Sequence, residues 1–509
     1  MHKKKYIRYL ILGLCTILLL SATACSGQRS SIDALEELNS PGTIIGAGSE
    51  PSVQDAVAEA FPQAEIRTYS SDLTGMLDVQ TGKSDAYVYD KVLLEYAIAN
   101  GMTGTRVLDE TIGEAHSIVI PVSRNSNIPN LKSKIDRALE QLQNDGTMDE
   151  MYGYWVHNAE TQLPEDTPMV EDANLVLKVG TTGLAQPFTF YVGDTLTGYD
   201  IELAYRIAEK LHARVEFSVY SWGGVTTAVK TGEVDIALTN LHYRPSLVDS
   251  IDQSDPYLIQ PIGVMVRADQ EKVSFFTSVK NSFYRTIIEE ERWKLILKGL
   301  GRTLIIAICA SLLGCIEGFL LCCLRRNKRK IISNLTLACI RVLQGTPCLI
   351  ILMLLYYVIF SKVYLPPLVI ASFGLSLNFA AYSAETMKSG LDSVPTGQIE
   401  AALALGYSPQ QVYRKVIFPQ GALRFIPVLR GEFISTVKLT SIVGYISICD
   451  LTRAADLIRA RTMDAFFPLI MTAIIYFVIA SLLTGFLTMM EHRYDPHKRP
   501  RKIKGVKMI

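Results

Sequence analysis

Hydrophobic and polar positions divide the 509 residues into three regimes. Tyr9 to Leu20 is a short apolar run behind Lys3-Lys4-Lys5, the layout of a secretion signal. From residue 33 to about Arg267, short apolar runs alternate with helically spaced ones, which predicts mixed α/β structure. Beyond that, Leu300–Leu324, Leu335–Phe360, Pro366–Lys388, Pro427–Cys449 and Phe466–Met490 are apolar runs of membrane-spanning length. The stretch 273–298, with Trp293 and many charges, reads as an amphipathic lead-in at the outer interface or as a simple linker helix.

Within the α/β region the pattern predicts strands at Thr43–Gly48, Asp85–Asp90 and Ser117–Val122, and helices at Ser52–Phe61 and Ile128–Tyr154, the latter interrupted by Asp145-Gly146. Residues 157–173 are acidic, contain two prolines and have no period, so they form a linker. A second α/β unit starts at Leu175. The two units echo each other: residues 81–90 read TGKSDAYVYD and residues 231–240 read TGEVDIALTN. In each, a glycine (Gly82 or Gly232) suits the left-handed position that ends a helix, and the following strand ends on a short polar residue, Asp90 or Asn240. Ligands in open α/β sheets bind beyond the carboxyl ends of strands, so Asp90 and Asn240 stand where a ligand site belongs. Gly82-Lys83-Ser84 is not the end of a P-loop, because position 77, where that motif needs glycine, is Leu.

Charge changes the picture. Lys+Arg and Asp+Glu balance at 50 each. They are segregated, however: residues 26–275 carry about 37 acids and about 17 bases, a net charge near −20. An acidic region of this kind excludes a nucleic-acid surface. Arg325-Arg326-Asn327-Lys328-Arg329-Lys330 and the tail from His492 supply the compensating bases, and the positive-inside rule puts both in the cytoplasm. Five spans then leave the α/β region outside and the loop 389–426 inside. None of the nine cysteines lies between residues 26 and 308, so that region has no disulfide and no thiolate metal site. With few histidines as well, it shows no metal or nucleophile constellation, and the chain does not read as an enzyme.

The inside loop carries Glu400-Ala401-Ala402-Leu403-Ala404-Leu405-Gly406, a short helix stopped by glycine, followed by a second short helix near Val416–Gln420. On its residues alone this is either a partner-docking hairpin or an ordinary connection between spans. It resembles the EAA coupling loop of ATP-binding-cassette import permeases. Arg341 to Pro347, Ala381 to Glu385, Gly397 to Glu400 and Lys438 to Ser441 resemble further stretches of the polar amino acid permeases of the histidine/glutamine type. The resemblance covers about residues 295–495 and implies that Glu400, Ala401, Ala402 and Gly406 dock a separate ATPase subunit, which uses the ATP; the chain itself needs no cofactor. It also implies a pore made of two permease copies, as a homodimer or with a related subunit. Glu385, Glu432 and Lys438 lie in or beside spans, where charge is costly and serves function or structural pairing.

The α/β region resembles the type II solute-binding proteins for amino acids. Gly198-Tyr199-Asp200-Ile201-Glu202-Leu203, Ser254-Asp255-Pro256-Tyr257 and Asp145 to Asp149 with Tyr154-Trp155 carry the likeness. The order is inverted: the half that normally comes last comes first. Either one circularly permuted binding protein folds from both halves, or the halves belong to different pairings; the first is favoured. The resemblance implies an α/β two-lobed clamshell outside the membrane, joined to an all-α permease of about five spans. In it Phe188 covers the ligand, Thr239 and Asn240 make polar contacts, Ser49 offers a helix-terminal site for carboxylate oxygens, and Asp90 takes the α-ammonium group. The family's carboxylate-binding Arg falls at Leu247 here, and the nearest substitute is Arg244. Ser21 to Cys25 resembles a bacterial lipoprotein signal, with Cys25 as the lipidated residue; cleavage without lipid and retention as an anchor are the alternatives.

These features predict a multi-pass protein of the bacterial cell membrane. Its expected parts are a signal (1–25), a second lobe (26–157), a linker (158–173), a first lobe (174–270), a linker helix (271–298), the permease (299–491) and a basic tail (492–509). Its expected function is import of a small solute, an amino acid. A ligand-gated channel or sensor is the alternative, and it has no use for an ATPase-docking loop.

Overall fold

The computed structural model describes residues 32–494 except 49, 70, 269–274, 362, 364 and 465. The signal with Cys25, Ser49 and the tail beyond 494 lie outside the described residues. The chain divides into two compact units, one built of Met1–Tyr89, Thr103–Gly113 and Gly263–Glu271, the other of Asp90–Met102, Glu114–Ile262 and Lys272–Ile509.

The first unit holds a five-stranded sheet in the order β2 (Glu65–Thr68), β1 (Ile44–Ala47), β3 (Ala86–Asp90), β12 (Leu258–Arg267), β4 (Thr105–Ile118). Strand β1 (Ile44–Ala47) lies parallel to β2 (Glu65–Thr68) and to β3 (Ala86–Asp90). Helices α1 (Pro51–Ala60) and α2 (Asp72–Gln80) make the crossovers. Ile45, Ala47, Val53 and Val57 are fully buried, the alternation and helical spacing having aimed them at one core. Gly75 is obligatory: a Cβ there falls 2.1 Å from the Tyr87 ring. The expected strand at 117–122 is different. It is the end of a longer β4 (Thr105–Ile118) and a short β5 (Pro121–Val122). The polar face of β4, including Asp109, Glu110 and Glu114, hid its first part from a hydrophobicity reading.

The second unit contains a sheet in the order β11-β5-β10-β6-β9. Here β6 (Leu175–Thr181) runs parallel to β9 (Ala213–Val219) and to β10 (Ile236–Ala237). Strand β5 pairs antiparallel with β10 and with β11 (Asp252–Gln253). Both sheets therefore mix strands from either side of the 157–173 linker, since β12 (Leu258–Arg267) joins the first sheet and β5 the second. Trp155 makes the same link with its side chain. It is fully buried, donates to Glu202 Oε2 at 2.7 Å, and meets the Phe190 ring edge-on. The expected helix from Ile128 begins at Leu131, after Asn130 in a left-handed conformation, and splits at Gly146 (φ +82°) into α4 (Leu131–Asn144) and α5 (Thr147–Tyr152). Gly82 and Gly232 do adopt the left-handed conformation after α2 and after α7 (Trp222–Thr231).

Among the described residues of the helical part, three helices are long and apolar enough to cross a membrane: α9 (Trp293–Arg325), α12 (Pro367–Asp392) and α17 (Phe467–Tyr494). Counting two bent pairs gives up to five spans. The expected second span is one such pair: α10 (Lys330–Gly345) meets the segment Cys348–Ile359 at 104°. Gly345-Thr346-Pro347 causes the break, because Thr346 is extended and Pro347 brings no N–H to continue the helix. The expected fourth span also shifts. Helix α15 (Phe418–Leu439) starts inside what reads as loop and gives way to a 3-10 turn at Thr440–Ile446 before α16 (Leu451–Thr462). In the expected lead-in a helix at Phe275–Phe283 (α8) continues as a π-helical turn to Ile288, and after a 3-10 turn at Glu289–Glu291 Trp293 already begins α9. Helices α9 and α12 approach closely because Gly314 and Gly318 leave room for Phe379 and Ser383; a Cβ on Gly318 falls 1.9 Å from Ser383 Oγ.

Candidate functional site

Asp90 ends β3 and occupies the N-cap position of α3 (Lys91–Ala99), yet its side chain makes no cap bond. It is fully buried and enters a polar cluster instead. His116 Nδ1 lies 3.0 Å from one carboxylate oxygen, His242 Nε2 lies 2.9 Å from the other, and Asn240 Nδ2 donates to that second oxygen at 2.9 Å. The two imidazole rings are 4.3 Å apart. Thus the two residues that end the echoing segments, Asp90 and Asn240, meet directly. Burial alone would raise the Asp90 carboxyl, but the charge of His242 and the hydrogen bonds of His116 and His242 outweigh it and hold the group well below the usual carboxylate range.

A second layer fixes the first. Asn240 is in the left-handed region (φ +54°), which Asn tolerates better than most residues. Its backbone N–H donates to Asp200 Oδ2 at 2.7 Å, and its amide oxygen accepts from Gln260 at 3.2 Å. Tyr257 donates to the other Asp200 oxygen at 2.8 Å and stacks on Tyr199. Asp200 has no exposed surface, and burial pushes its carboxyl up to about 7, against the opposing bonds from Tyr257 and Asn240. The resemblance segments Gly198–Leu203 and Ser254–Tyr257 therefore act as the scaffold that orients Asn240.

The other expected binding residues are placed as follows. Thr239 is buried and its hydroxyl bonds Thr182 at 2.5 Å. Phe188 is fully buried and meets Tyr199 edge-on. Arg244 is half-buried and heads the 3-10 turn Pro245–Leu247; the Gln253 side chain clamps its backbone on both sides, accepting from N at 2.8 Å and donating to O at 2.9 Å. The Asp90 carboxylate is bonded by His116, His242 and Asn240. His116 and His242 escaped the sequence reading, which saw no metal constellation. Folding brings Asp90, His116 and His242 together, with one donor atom from each inside 4.8 Å, so they have the means to hold a metal ion. The signal was present: the chain has only seven histidines, and His242 stands two residues beyond Asn240.

The same unit joins this α/β module to the helices. Arg453 in α16 is almost wholly buried and donates to the carbonyls of Thr182 and Tyr220. Gln186 donates to Ala460 O at 2.7 Å and accepts from Arg461 at 3.1 Å. Tyr356 donates to Glu233 at 2.9 Å. One apolar cluster runs continuously from Val225 and Ala228 of α7 to Ile306 of α9 and Leu355. Beside the bend at Pro347, a cleft of about 780 Å³ is lined by Gln344, Asn378, Tyr382, Glu432 and Lys438. Glu385 lies outside that lining and pairs with Arg325 at 3.8 Å.

At the other expected site, α13 (Thr396–Ala404) ends before Gly406, whose φ of +85° turns the chain into α14 (Pro409–Val412), capped by Ser408. Glu400 and Ala401 are exposed, and Ala402 is buried beneath them. Leu405 is 80% exposed, and a side chain on Gly406 would meet nothing. The hairpin thus presents a helix face and an apolar tip to solvent.

Comparison with known proteins bears on the helical part. The family model described as "Binding-protein-dependent transport system inner membrane component" matches residues 293–496. A probable amino-acid ABC transporter permease protein, YckA of Bacillus subtilis, is 31% identical over 212 residues, which is 42% of this chain and 94% of that protein. The L-cystine transport system permease protein TcyB of the same organism is 30% identical over 211 residues, 41% of this chain and 90% of that one. A solved amino acid ABC transporter with histidines is 32% identical, with a TM-score of 0.38, covering 44% of this chain and 100% of that one.

Proposed function

The chain belongs to the binding-protein-dependent transport system inner membrane components, and from that premise we propose that it imports polar amino acids with its own solute-binding module built in. The observation that carries the proposal is the bonding of the module to the spans: Arg453, Gln186 and Tyr356 tie an α/β unit holding a buried carboxylate site directly to the permease helices. Both sheets mixing strands across the linker supports one binding domain written in permuted order. The named solutes of the relatives support an amino acid as cargo. Asp90 faces the solute's amino group, Asn240 and Thr239 supply polar contacts, Arg244 takes the carboxylate, and Phe188 completes the binding surface. Cys25 carries the lipid anchor.

Glu400, Ala401, Ala402 and Gly406 form the docking face for a separate ATPase, which does the hydrolysis; the chain itself performs no catalysis. Two copies of the permease, or one with a related subunit, line the pore. The test is reconstitution with the ATPase in proteoliposomes. Glu400→Arg should leave solute binding intact and abolish ATP-driven uptake, and Asp90→Ala should abolish solute binding with folding intact. Normal transport by the first variant, or unchanged calorimetric affinity of the second, overturns the respective assignment.

A further inference from the structure

We propose that Asp90, His116 and His242 bind a divalent late first-row transition metal ion, of the zinc or nickel class, within the solute-binding module. All three side chains are buried, and one donor atom from each lies inside 4.8 Å. Ions of this class bind imidazole nitrogen and carboxylate oxygen at about 2.0–2.2 Å, so donors around a tetrahedral ion stand roughly 3.3–3.5 Å apart. The present separations of 3.0 Å from His116 to Asp90 and 2.9 Å from His242 to Asp90 need to open by only a few tenths of an ångström. Two imidazoles and one carboxylate are a donor set that favours zinc, nickel or copper over magnesium or calcium, which take oxygen donors. Three protein ligands also leave coordination positions for water or for the amine and carboxylate of a small solute.

The hydrogen-bonded surroundings of the three residues fit a bound ion. Both oxygens of Asp90 are already engaged by ring nitrogens, and an ion that replaces the shared protons keeps all three residues as ligands while its open positions take the solute's amino group. Metal-ligating carboxylates are oriented by a further hydrogen bond. Asn240 supplies that bond to Asp90, and Gln260 and the Asp200 carboxylate fix Asn240 in turn. The proposal goes beyond the amino-acid reading and is tested without transport, so either can fail alone.

The experiment uses the full-length chain, purified in detergent and stripped with a chelator. Zinc chloride and nickel chloride are titrated separately against a competing chromophoric chelator. One ion per chain is expected, with affinity lowered at least 100-fold in His116→Gln and in His242→Gln. X-ray absorption of the zinc-loaded wild type is expected to show two imidazole nitrogens in the coordination shell, a readout that does not depend on how the variants fold. No binding by the wild type, undiminished binding by both variants, or a shell without two imidazoles overturns the proposal.

Discussion

Replacing Asp200 by Asn isolates one buried carboxyl whose protonation the fold has shifted. Its pKa rises from 3.8 to about 7 because burial penalises the charged form. Below pH 4 both folded and unfolded chains carry the proton. Between pH 4 and 7 only the folded chain does, so stability falls as pH rises through that window, at about 1.4 kcal/mol per pH unit, and levels off above it. A shift from 3.8 to about 7 amounts to about 4 kcal/mol lost by pH 8. Asn keeps the shape of the acid without its titration: its carbonyl still accepts the Asn240 N–H, while Tyr257, which donates to the other Asp200 oxygen, must turn its O–H to accept from the amide. The variant should therefore match the wild type near pH 4 and surpass it increasingly up to pH 7. For a cooperative unit of 150–250 residues, 4 kcal/mol is a melting shift of about 8–16 °C. Thermal unfolding of the purified chain, followed by the fluorescence of its three tryptophans, of which Trp155 is fully buried, reads the difference at each pH. A difference that does not change with pH, or one that shrinks as pH rises, refutes the account of Asp200.

Three further outcomes follow from the packing. Arg453→Ala leaves the Thr182 and Tyr220 carbonyls without their buried charged donor, at a cost of about 1–3 kcal/mol for each bond; hydrogen exchange at residues 181–184 and 220–224 should quicken and uptake should fall while solute binding persists, and unchanged exchange would contradict the docking. Gly314→Val drives a side chain toward Phe379 Cδ1, 2.7 Å from the Cβ position, and the Ser376 carbonyl at 2.9 Å; it should cost about 1–3 kcal/mol, measured as a lower melting temperature in detergent. Gly406→Ala meets no neighbouring atom and suffers only its left-handed backbone, so a modest loss of about 1 kcal/mol should appear as weaker ATPase association with the chain still folded.

The membrane runs were legible because a span must be apolar over its whole length, and the hairpin of α13 and α14 was legible because Gly406 and Ser408-Pro409 mark a local turn. Asp90 was legible as a strand end, since helix-to-strand punctuation by glycine is also local; Asn240 was expected to end its strand, but β10 stops at Ala237 and Asn240 lies three residues beyond it. What escaped is non-local. His116 lies on a strand whose polar face resembles loop, and nothing in spacing brings it to His242; only the pairing of distant strands does. The broken second and fourth spans escaped for the opposite reason. Hydropathy sums over a window and is blind to Thr346-Pro347, where a single missing N–H redirects the chain by 104°. The full burial of Phe188 against Tyr199 was likewise invisible, because side-chain packing partners are set by the tertiary fold.

The bonds from Arg453, Gln186 and Tyr356 to the module fix more than its position. A cell that secretes a free receptor can tune scavenging by making more of it than of its gate. Here supply and gate are produced in equal number by one translation event, so capacity rises only with the number of gates.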